Sequence, residues 1–508
     1  MIIARHSAIF LAACLLCPLG AAAAEAYTCY TSSNTTLTFY YDNNRSSRTG
    51  ITYGLNTSSN DPGWYTDDTY YTYSQVTRVV FDPSFAEARP TTTRCWFGGM
   101  TELQSISGMK EYLNTASVTD MQSMFQNCSN LTNVDVSGFN TSQVTDMHDM
   151  FAFSSSLTSL DVRSFNTANV TDMSGMFCGC SSLRSLDVSH FNTEKATALN
   201  YMFCGCSSLT SLDVSSINTA NAKHLNGMFA YCSSLTSLDV SHFNTANVID
   251  MSSMFSHCTA LASLDVSRFN TEKVENMTSM FECCENLRSL DLSHFNTDRV
   301  TKMGSMFSSC TGLTHLDLSH FNTAKVTDTS FMLAFCTGMT SLNLRGFNTA
   351  SVTDMEYMFA ECNNLTELDL YSFNTANAAY MFHMFSGCRN LTTIYAGDAW
   401  STASVTNSAS MFMDCTRLVG GMGTGYDATH VSATYAHIDG GPSDPGYFTQ
   451  GPSHIPGDVN HDGEVNIADV NAVITQILTG AMTPDGDVNG DGEVNIRDIN
   501  AVISIILA

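Results

Sequence analysis

Met176-Phe177-Cys178-Gly179-Cys180-Ser181-Ser182-Leu183-Arg184-Ser185-Leu186-Asp187-Val188-Ser189-His190-Phe191-Asn192-Thr193 is the stretch on which the reading of this chain turns. Its Phe-Asn-Thr triplet recurs at Phe139, Phe165, Phe191, Phe243, Phe269, Phe295, Phe321, Phe347 and Phe373, with Ile217 filling the one gap, in steps of 26 residues. Leu113-Asn114-Thr115 extends the series backward, and Trp400-Ser401-Thr402 extends it forward after a slip of one residue. A fixed period of this length marks a repeat architecture. Each unit can bury its apolar face only against its neighbours.

Within a unit, Leu183, Leu186 and Val188 follow the pattern Leu-x-x-Leu-Asp-Val-x-x-Phe-Asn. This leucine-rich grammar predicts a short strand with alternating inward residues, then a turn closed by Asn. The other half is spaced like a helix, since Val144, Met147, Met150, Phe151 and Ser154 share one helical face. The expected fold is therefore an α/β repeat. A leucine-rich-repeat solenoid of about 12 units spans 96–415, each unit a parallel strand plus a short helix. Small β caps flank it at 25–95 and 416–450. The triplet Asn, unbroken from Asn114 through Asn374, is placed to bond backbone groups of the next coil.

The unit Met-Phe-x-x-Cys-x-x-Leu-Thr-Ser-Leu-Asp-Val-Ser-x-Phe-Asn-Thr resembles the repeat of BspA-like leucine-rich-repeat bacterial surface proteins, over about residues 96–415. Residues 75–97, with Val79-Val80-Phe81-Asp82, are similar to the N-terminal β cap of such proteins. Gly440-Gly441-Pro442 through Gly446-Tyr447-Phe448 are similar to their C-terminal cap. The resemblance implies surface exposure and adhesion or protein binding, not catalysis.

Periodicity also weighs each reactive side chain. Cys128, Cys180, Cys206, Cys232, Cys258, Cys284, Cys310, Cys336, Cys362, Cys388 and Cys415 share one position on the apolar face, and Ser154 replaces one of them without disturbing the frame. They read as a buried ladder of small hydrophobes, although neighbouring coils bring them near bridging distance. Cys29 and Cys95 are the better candidates for a disulfide in an exported chain. Asp135, Asp161, Asp187, Asp213, Asp239, Asp265, Asp291, Asp317 and Asp369 share a strand position, with Asn343 as the exception. Carboxylates stacked about 5 Å apart should repel and raise one another's pKa. Either each is bonded to a nearby Ser hydroxyl or backbone N–H, or the row holds cations. His190, His242, His294 and His320 read as polar turn residues, the alternative being a metal shared by His294 and His320.

A catalytic group acts at one point, whereas these groups repeat, so no catalytic residue is assigned. The non-repeat pieces contain neither a Gly-x-Ser-x-Gly elbow nor a His-Glu-x-x-His helix. Gly421-Met422-Gly423-Thr424-Gly425 lacks the strand–helix context of a nucleotide loop. The formal net charge of −27 argues against nucleic acid or anionic membrane as partner and suits calcium binding. At the N-terminus, Arg5-His6, the apolar run Ala8–Leu19 and the small residues before Glu25 read as a signal peptide over 1–24. Leu11-Ala12-Ala13-Cys14 offers lipoprotein processing at Cys14 as the rival, and no later segment is expected to span a membrane.

After a Pro/Gly linker at 451–456 the repeat grammar stops. Asp458, Asn460, Asp462, Glu464, Asn466 and Asp469 stand at positions 1, 3, 5, 7, 9 and 12 of one acidic loop, with Gly463 at position 6. Asp487, Asn489, Asp491, Glu493, Asn495 and Asp498, with Gly492, repeat the arrangement 29 residues on. Oxygen side chains at 1, 3, 5, 9 and 12, a backbone carbonyl at 7 and Gly at the sharp turn are what a calcium loop requires. Each loop leads into a helix with one apolar stripe: Val470, Val473, Ile474, Ile477 and Leu478, then Ile499, Val502, Ile503, Ile506 and Leu507.

The duplicated loop–helix over 457–508 resembles a type I dockerin, an all-α calcium-binding domain. The resemblance implies two calcium ions on the two oxygen sets and a cohesin-like scaffold as partner. Ile467-Ala468 and Ile496-Arg497 fall at the loop positions that often set partner choice in cellulosomal dockerins, and they depart from the small hydroxylated pair found there. The functional expectation is a secreted or surface adhesion protein whose solenoid meets a protein or glycan ligand. The rivals are an accessory polysaccharide-binding subunit of a glycan-degrading complex, a hydrolase with a site in the caps, and a structural surface-layer protein.

Overall fold

The structure, a computed structural model, describes residues 23–56, 60–67, 72–451, 457–460, 464–480, 486–489 and 493–507. The signal segment with Cys14, the linker residues 452–456, and the loop residues Asp462, Gly463, Asp491 and Gly492 lie outside the described residues. The chain divides into two compact units, residues 1–169 and 170–508.

In the first unit, β-branched and aromatic runs form strands β1 (Glu25–Thr31), β2 (Thr36–Asp42), β3 (Ile51–Gly54), β4 (Arg78–Phe81) and β5 (Ser105–Ser107). They make one sheet in the order β3-β1-β2-β4-β5, antiparallel at β1 and parallel where β4 joins β2 and β5. One-turn helices α1 (Thr72–Gln75) and α2 (Met109–Tyr112) flank β4 and β5 in the chain. The core is aromatic: Phe39 stacks on Phe81 at 4.5 Å and packs against Trp64, Phe85 and Trp96. The buried indole of Trp64 donates to the Trp96 carbonyl at 2.8 Å, so its one polar atom is satisfied. The expected Cys29–Cys95 disulfide is not formed. Both are free thiols in separate surroundings, Cys29 facing the Thr49 carbonyl and Cys95 facing Asp61.

The repeats correct the expected helix. No α-helix occurs between residues 113 and 451. Where helical spacing pointed to one, the chain runs as consecutive turns with two residues per coil in the left-handed region. Ser123 and Asn127 (φ 53° and 57°), Gly175 and Gly179 (62° and 70°), and Ser253 and His257 (55° and 60°) are such pairs. A left-handed residue every four positions interrupts helical hydrogen bonding. The backbone groups are satisfied in two directions instead. N–H groups of Met121, Ser123, Phe125 and Asn127 donate to carbonyls of the next coil at 146, 148, 150 and 152, over 2.6–3.0 Å. Those of Met124, Gln126 and Cys128 donate three residues back in their own coil. The second unit repeats the arrangement, for example from Met251, Ser253, Phe255 and His257. Val144, Met147, Met150, Phe151 and Ser154 are all buried as the pattern required, on turns rather than on a helix.

The strand half is also leaner than expected. Beyond β5, which joins the N-terminal sheet, paired strands occur only in the late coils: β6 (His315–Asp317) with β7 (Ser341–Asn343), and β8 (Glu367–Leu370) with β9 (Thr393–Ala396), all parallel. The Leu-Asp-Val segments between 131 and 292 bury Leu and Val but pair no strands. Inter-coil bridges instead follow the residue after the Val-Thr pair, from Asp172 through Ala198, His224 and Asp250 to Asn407 in the second unit.

A further stitch comes from the triplet Thr, not from its Asn. Buried Thr193 Oγ1 donates to the Asn218 carbonyl at 2.9 Å and accepts from the Asn218 N–H at 2.7 Å. The same double bond joins Thr271 to Asn296 and Thr323 to Asn348. The Asn side chains mostly turn back on their own coil, as where Asn218 Oδ1 accepts from the Ala220 N–H at 2.9 Å. Rows of buried phenylalanines fill the interior, with Phe203, Phe229, Phe255, Phe281 and Phe307 stacked 5.8–5.9 Å apart. At the end of the array β10 (Phe448–Gln450) pairs parallel with β9, and Phe448 packs on Phe385, Trp400 and Phe412.

Candidate metal centre and repeat surfaces

Helices α3 (Ile467–Thr479) and α4 (Ile496–Ile506) follow the two acidic loops. Asn466 and Asn495 cap them. Each accepts from an N–H two residues on, at 2.8 Å, while Asp469 and Asp498 bond back to the cap N–H, a reciprocal capping box. Asp469 does more than cap. Its Oδ1 accepts from the Val459 and Asn460 N–H groups at 2.7 and 3.0 Å, which folds the start of the loop over the helix N-terminus. Asp498 holds the Asn489 N–H in the same way at 3.1 Å. Position 12 of each loop is thus the hub that ties loop to helix.

Asp469 and Asp498 are fully buried and Asp458 is nearly so. Arg497 is the only Lys or Arg from 457 to 508. Buried carboxylates need pairing or a metal, and an all-oxygen donor set is the chemistry of a hard divalent cation. The residues present therefore fit calcium. Among the described residues no three His, Cys, Asp or Glu side chains already converge as a ligand cluster, and Asp462 and Asp491 fall outside them. Asn460 and Glu464 precede the capped start of α3, and Asp487, Asn489 and Glu493 precede that of α4.

Only part of the expected apolar stripe is covered. Val459, Val470, Val473 and Val502 form the core, with Val465, Ile477, Val488, Val494 and Ile499 packed around it. Leu478 and Leu507 are instead about four-fifths exposed, and Ile474, Ile503 and Ile506 are partly open. Ile467 and Ile496, the first residues of α3 and α4, are exposed at matched positions in the two copies. Ala468 beside them is half-buried and Arg497 exposed.

On the repeats, the Asp row resolves into turns. Asp135, Asp239 and Asp265 each accept the N–H two residues on at 3.0 Å, and Ser137 and Ser267 add their hydroxyls at 2.6 and 2.7 Å. Mutual repulsion does not dominate. The Ser137 bonds and Lys110 draw Asp135 down to about 2, and Ser bonds likewise lower Asp213, Asp239 and Asp265. The histidines are bound within the turns. His242 and His320 bond the Val214 and Leu292 carbonyls at 3.0 and 2.8 Å, and His294 bonds Ser293 at 2.8 Å.

Two surface features escaped the sequence reading. Aromatic side chains stand on the left-handed positions: Tyr231 stacks on His257 at 4.2 Å, and Tyr357 lies between Phe331 and His383 at 4.4 and 4.9 Å. A groove of about 800 Å³ is lined by Lys195, Lys223 and Lys273 with Asn221 and Asn247. The chain has few lysines, and their recurrence just after the triplet at 195 and 273 was the available signal.

Comparison with known proteins gives the class. The family described as "Mycoplasma protein of unknown function, DUF285" matches residues 92–186, 176–287, 261–343 and 317–424, which together exceed half the chain. The chain belongs to this family of BspA-like repeats. The dockerin type I domain matches residues 456–507, so the repeat fold carries a C-terminal dockerin. Dockerin type I domains bind calcium and attach to cohesin-type partners. Solved structures similar to this chain include a leucine-rich repeat protein from Bacteroides ovatus ATCC 8483, 17% identical with a TM-score of 0.38, covering 78% of this chain and 92% of that one. Another is a leucine-rich repeat protein from Eubacterium ventriosum ATCC 27560, 13% identical with a TM-score of 0.27, covering 77% and 92%. No curated protein matches the chain. Among the described residues no helix is long and apolar enough to cross a membrane.

Proposed function

We propose that this chain is an exported, non-catalytic interaction protein. Its repeats present a binding face to a protein or glycan, and its dockerin domain, holding two calcium ions, attaches it to a cohesin-type scaffold. The observation that carries the reading is the duplicated loop–helix. Asp469 and Asp498 fold two acidic loops onto two capped helices in the same way, and Ile467 and Ile496 are exposed at matched positions beside them. One ion would be held by Asp458, Asn460, Asp462, Glu464, Asn466 and Asp469. The other would be held by Asp487, Asn489, Asp491, Glu493, Asn495 and Asp498. Calcium would supply positive charge to these oxygens, and folding of the domain would depend on it. Ile467, Ala468, Ile496 and Arg497 are the partner-facing residues of this reading. The lysine groove and the stacked aromatics are the faces offered to the solenoid's ligand. Export rests on the N-terminal signal pattern.

The test is capture from an envelope extract of the source organism by the full chain, in calcium and then in chelator. Calcium-dependent recovery of a protein with a cohesin-type domain, lost in an Asp458→Ala/Asp487→Ala double variant, is the expected result. Equal recovery in chelator, or none while the domain still gains helix on calcium, sinks the attachment role.

A further inference from the structure

Two thiols stand outside the buried ladder and meet. Phe177-Cys178-Gly179-Cys180 and Phe203-Cys204-Gly205-Cys206 occupy the same repeat positions on adjacent coils. The second cysteine of each is a ladder thiol, fully buried, and Cys206 Sγ is committed to the Phe177 carbonyl at 3.2 Å. The first cysteine falls in a column that elsewhere holds Ala230, Ser256, Ser308 and Ala334. Cys178 and Cys204 are only half-buried there. Adjacent coils set the two side chains next to one another, and Cys178 holds the Cys204 thiol below its ordinary value.

The backbone between them is held close. The Gly179 N–H donates to the Cys204 carbonyl at 2.6 Å. Gly179 and Gly205 both sit at φ 70°, and a Cβ on Gly205 would lie 3.3 Å from Gly179. Coils stacked at about 4.8 Å fall inside the Cα separation of about 4.4–6.8 Å that a disulfide accepts.

We propose that Cys178 and Cys204 are a disulfide-forming pair, a covalent staple between two coils closed by exchange with an external disulfide such as oxidised glutathione. The Cys204 thiolate, stabilised by the Cys178 S–H, attacks one glutathione sulfur, forming a mixed disulfide and releasing one glutathione thiolate. Cys178 then loses its proton to solvent and attacks Cys204 Sγ, releasing the second glutathione thiolate. The two cysteines give up two electrons and two protons in all, and one glutathione disulfide becomes two thiols. The ladder does not compete, because burial raises thiols such as Cys206 and Cys232 well above their ordinary value and leaves them largely without thiolate. Cys283, also half-buried, faces Ser309 rather than another thiol and serves as an internal control.

The experiment equilibrates the folded full chain with mixtures of reduced and oxidised glutathione, quenches with acid, alkylates, and maps a non-reducing digest. The expected result is a Cys178–Cys204 linked peptide, loss of two hydrogens from the intact mass and loss of two alkylatable thiols, with the ladder untouched. Cys178→Ala should convert Cys204 to a glutathione adduct, and Cys283→Ala should leave the staple intact. Cys178→Ala places the residue that Ala230 and Ala334 already supply in that column, and Cys204→Ser gives an independent check. Separate glutathione adducts on Cys178 and Cys204 of the unsubstituted chain, with no linked peptide, overturn the proposal. So do links among ladder cysteines in its place.

Discussion

The Ser154 hydroxyl donates to the Phe125 carbonyl, 2.7 Å away on the preceding coil. Elsewhere the same bond is made by a thiol. Cys206 reaches the Phe177 carbonyl, Cys232 the Phe203 carbonyl and Cys310 the Phe281 carbonyl, at 3.1–3.2 Å. The ladder is therefore a row of small donors that add a second bond to buried carbonyls, as well as a row of small apolar volumes. Cys206→Ala should lower the urea midpoint by the equivalent of about 0.5–1.5 kcal/mol, because it removes one of two donors to the Phe177 carbonyl, which keeps the Cys180 N–H at 3.1 Å. Cys206→Ser should cost less, since Ser154 shows that a hydroxyl fills the role. Equal losses for the two variants would mean that volume alone matters.

The triplet makes a second separable claim. Thr193→Val keeps shape but strands both the N–H and the carbonyl of Asn218, for an expected loss of about 2–4 kcal/mol in denaturant unfolding. Asn192→Ala removes the exposed turn to the Glu194 N–H and should cost about 1 kcal/mol. The reverse order would put the inter-coil bond on Asn after all.

These two residues also show where the sequence was legible. The period, the buried Leu, Val, Met and Phe, and the paired acidic loops were readable because spacing alone reports which positions repeat and which face inward. Spacing does not distinguish a helix from a run of turns that buries every third or fourth residue, so Val144, Met147 and Met150 fit both. The distinguishing signal was weaker: Gly175, Gly179, Gly205 and Gly227 fall in the left-handed columns, where Gly lacks the Cβ penalty. In the C-terminal domain the oxygen ligands follow a fixed order and could be named. A helical stripe, by contrast, says which face is apolar and not what covers it, hence the exposed Leu478 and Leu507.

The Asp row predicts an acid-labile repeat surface. Hydrogen bonds from Ser hydroxyls and backbone N–H groups, with Lys110 at Asp135, favour the charged form in the folded state, so these carboxyls lie below their unfolded value. Their stabilisation is complete above the unfolded value of about 3.9. It is lost as pH falls through the folded values, about 2 at Asp135. The thermal midpoint should drop between about pH 4 and pH 2. Asp239→Asn/Asp265→Asn should shallow that slope while changing little at pH 5, because Asn343 already supports the same turn through its Oδ1. An unchanged slope in the double variant counts against the row as the source.

The last prediction separates a turn ladder from a helix by sign. Ser253 has φ 55°, and its N–H crosses to the Thr278 carbonyl at 2.8 Å while its own carbonyl receives the Ser256 N–H. In a helix, Ser253→Ala would stabilise and Ser253→Gly would destabilise by up to about 1 kcal/mol. In a left-handed turn the order inverts. Gly relieves a strain of about 1–2 kcal/mol, partly offset by its entropy in the unfolded chain, and Ala keeps the strain. The column neighbours Gly227 and Ser279 are small, so neither change meets a packing obstacle. Ser253→Gly should therefore unfold at a higher urea concentration than Ser253→Ala. A Gly variant less stable than the Ala variant would return this segment to the helix that its spacing first suggested.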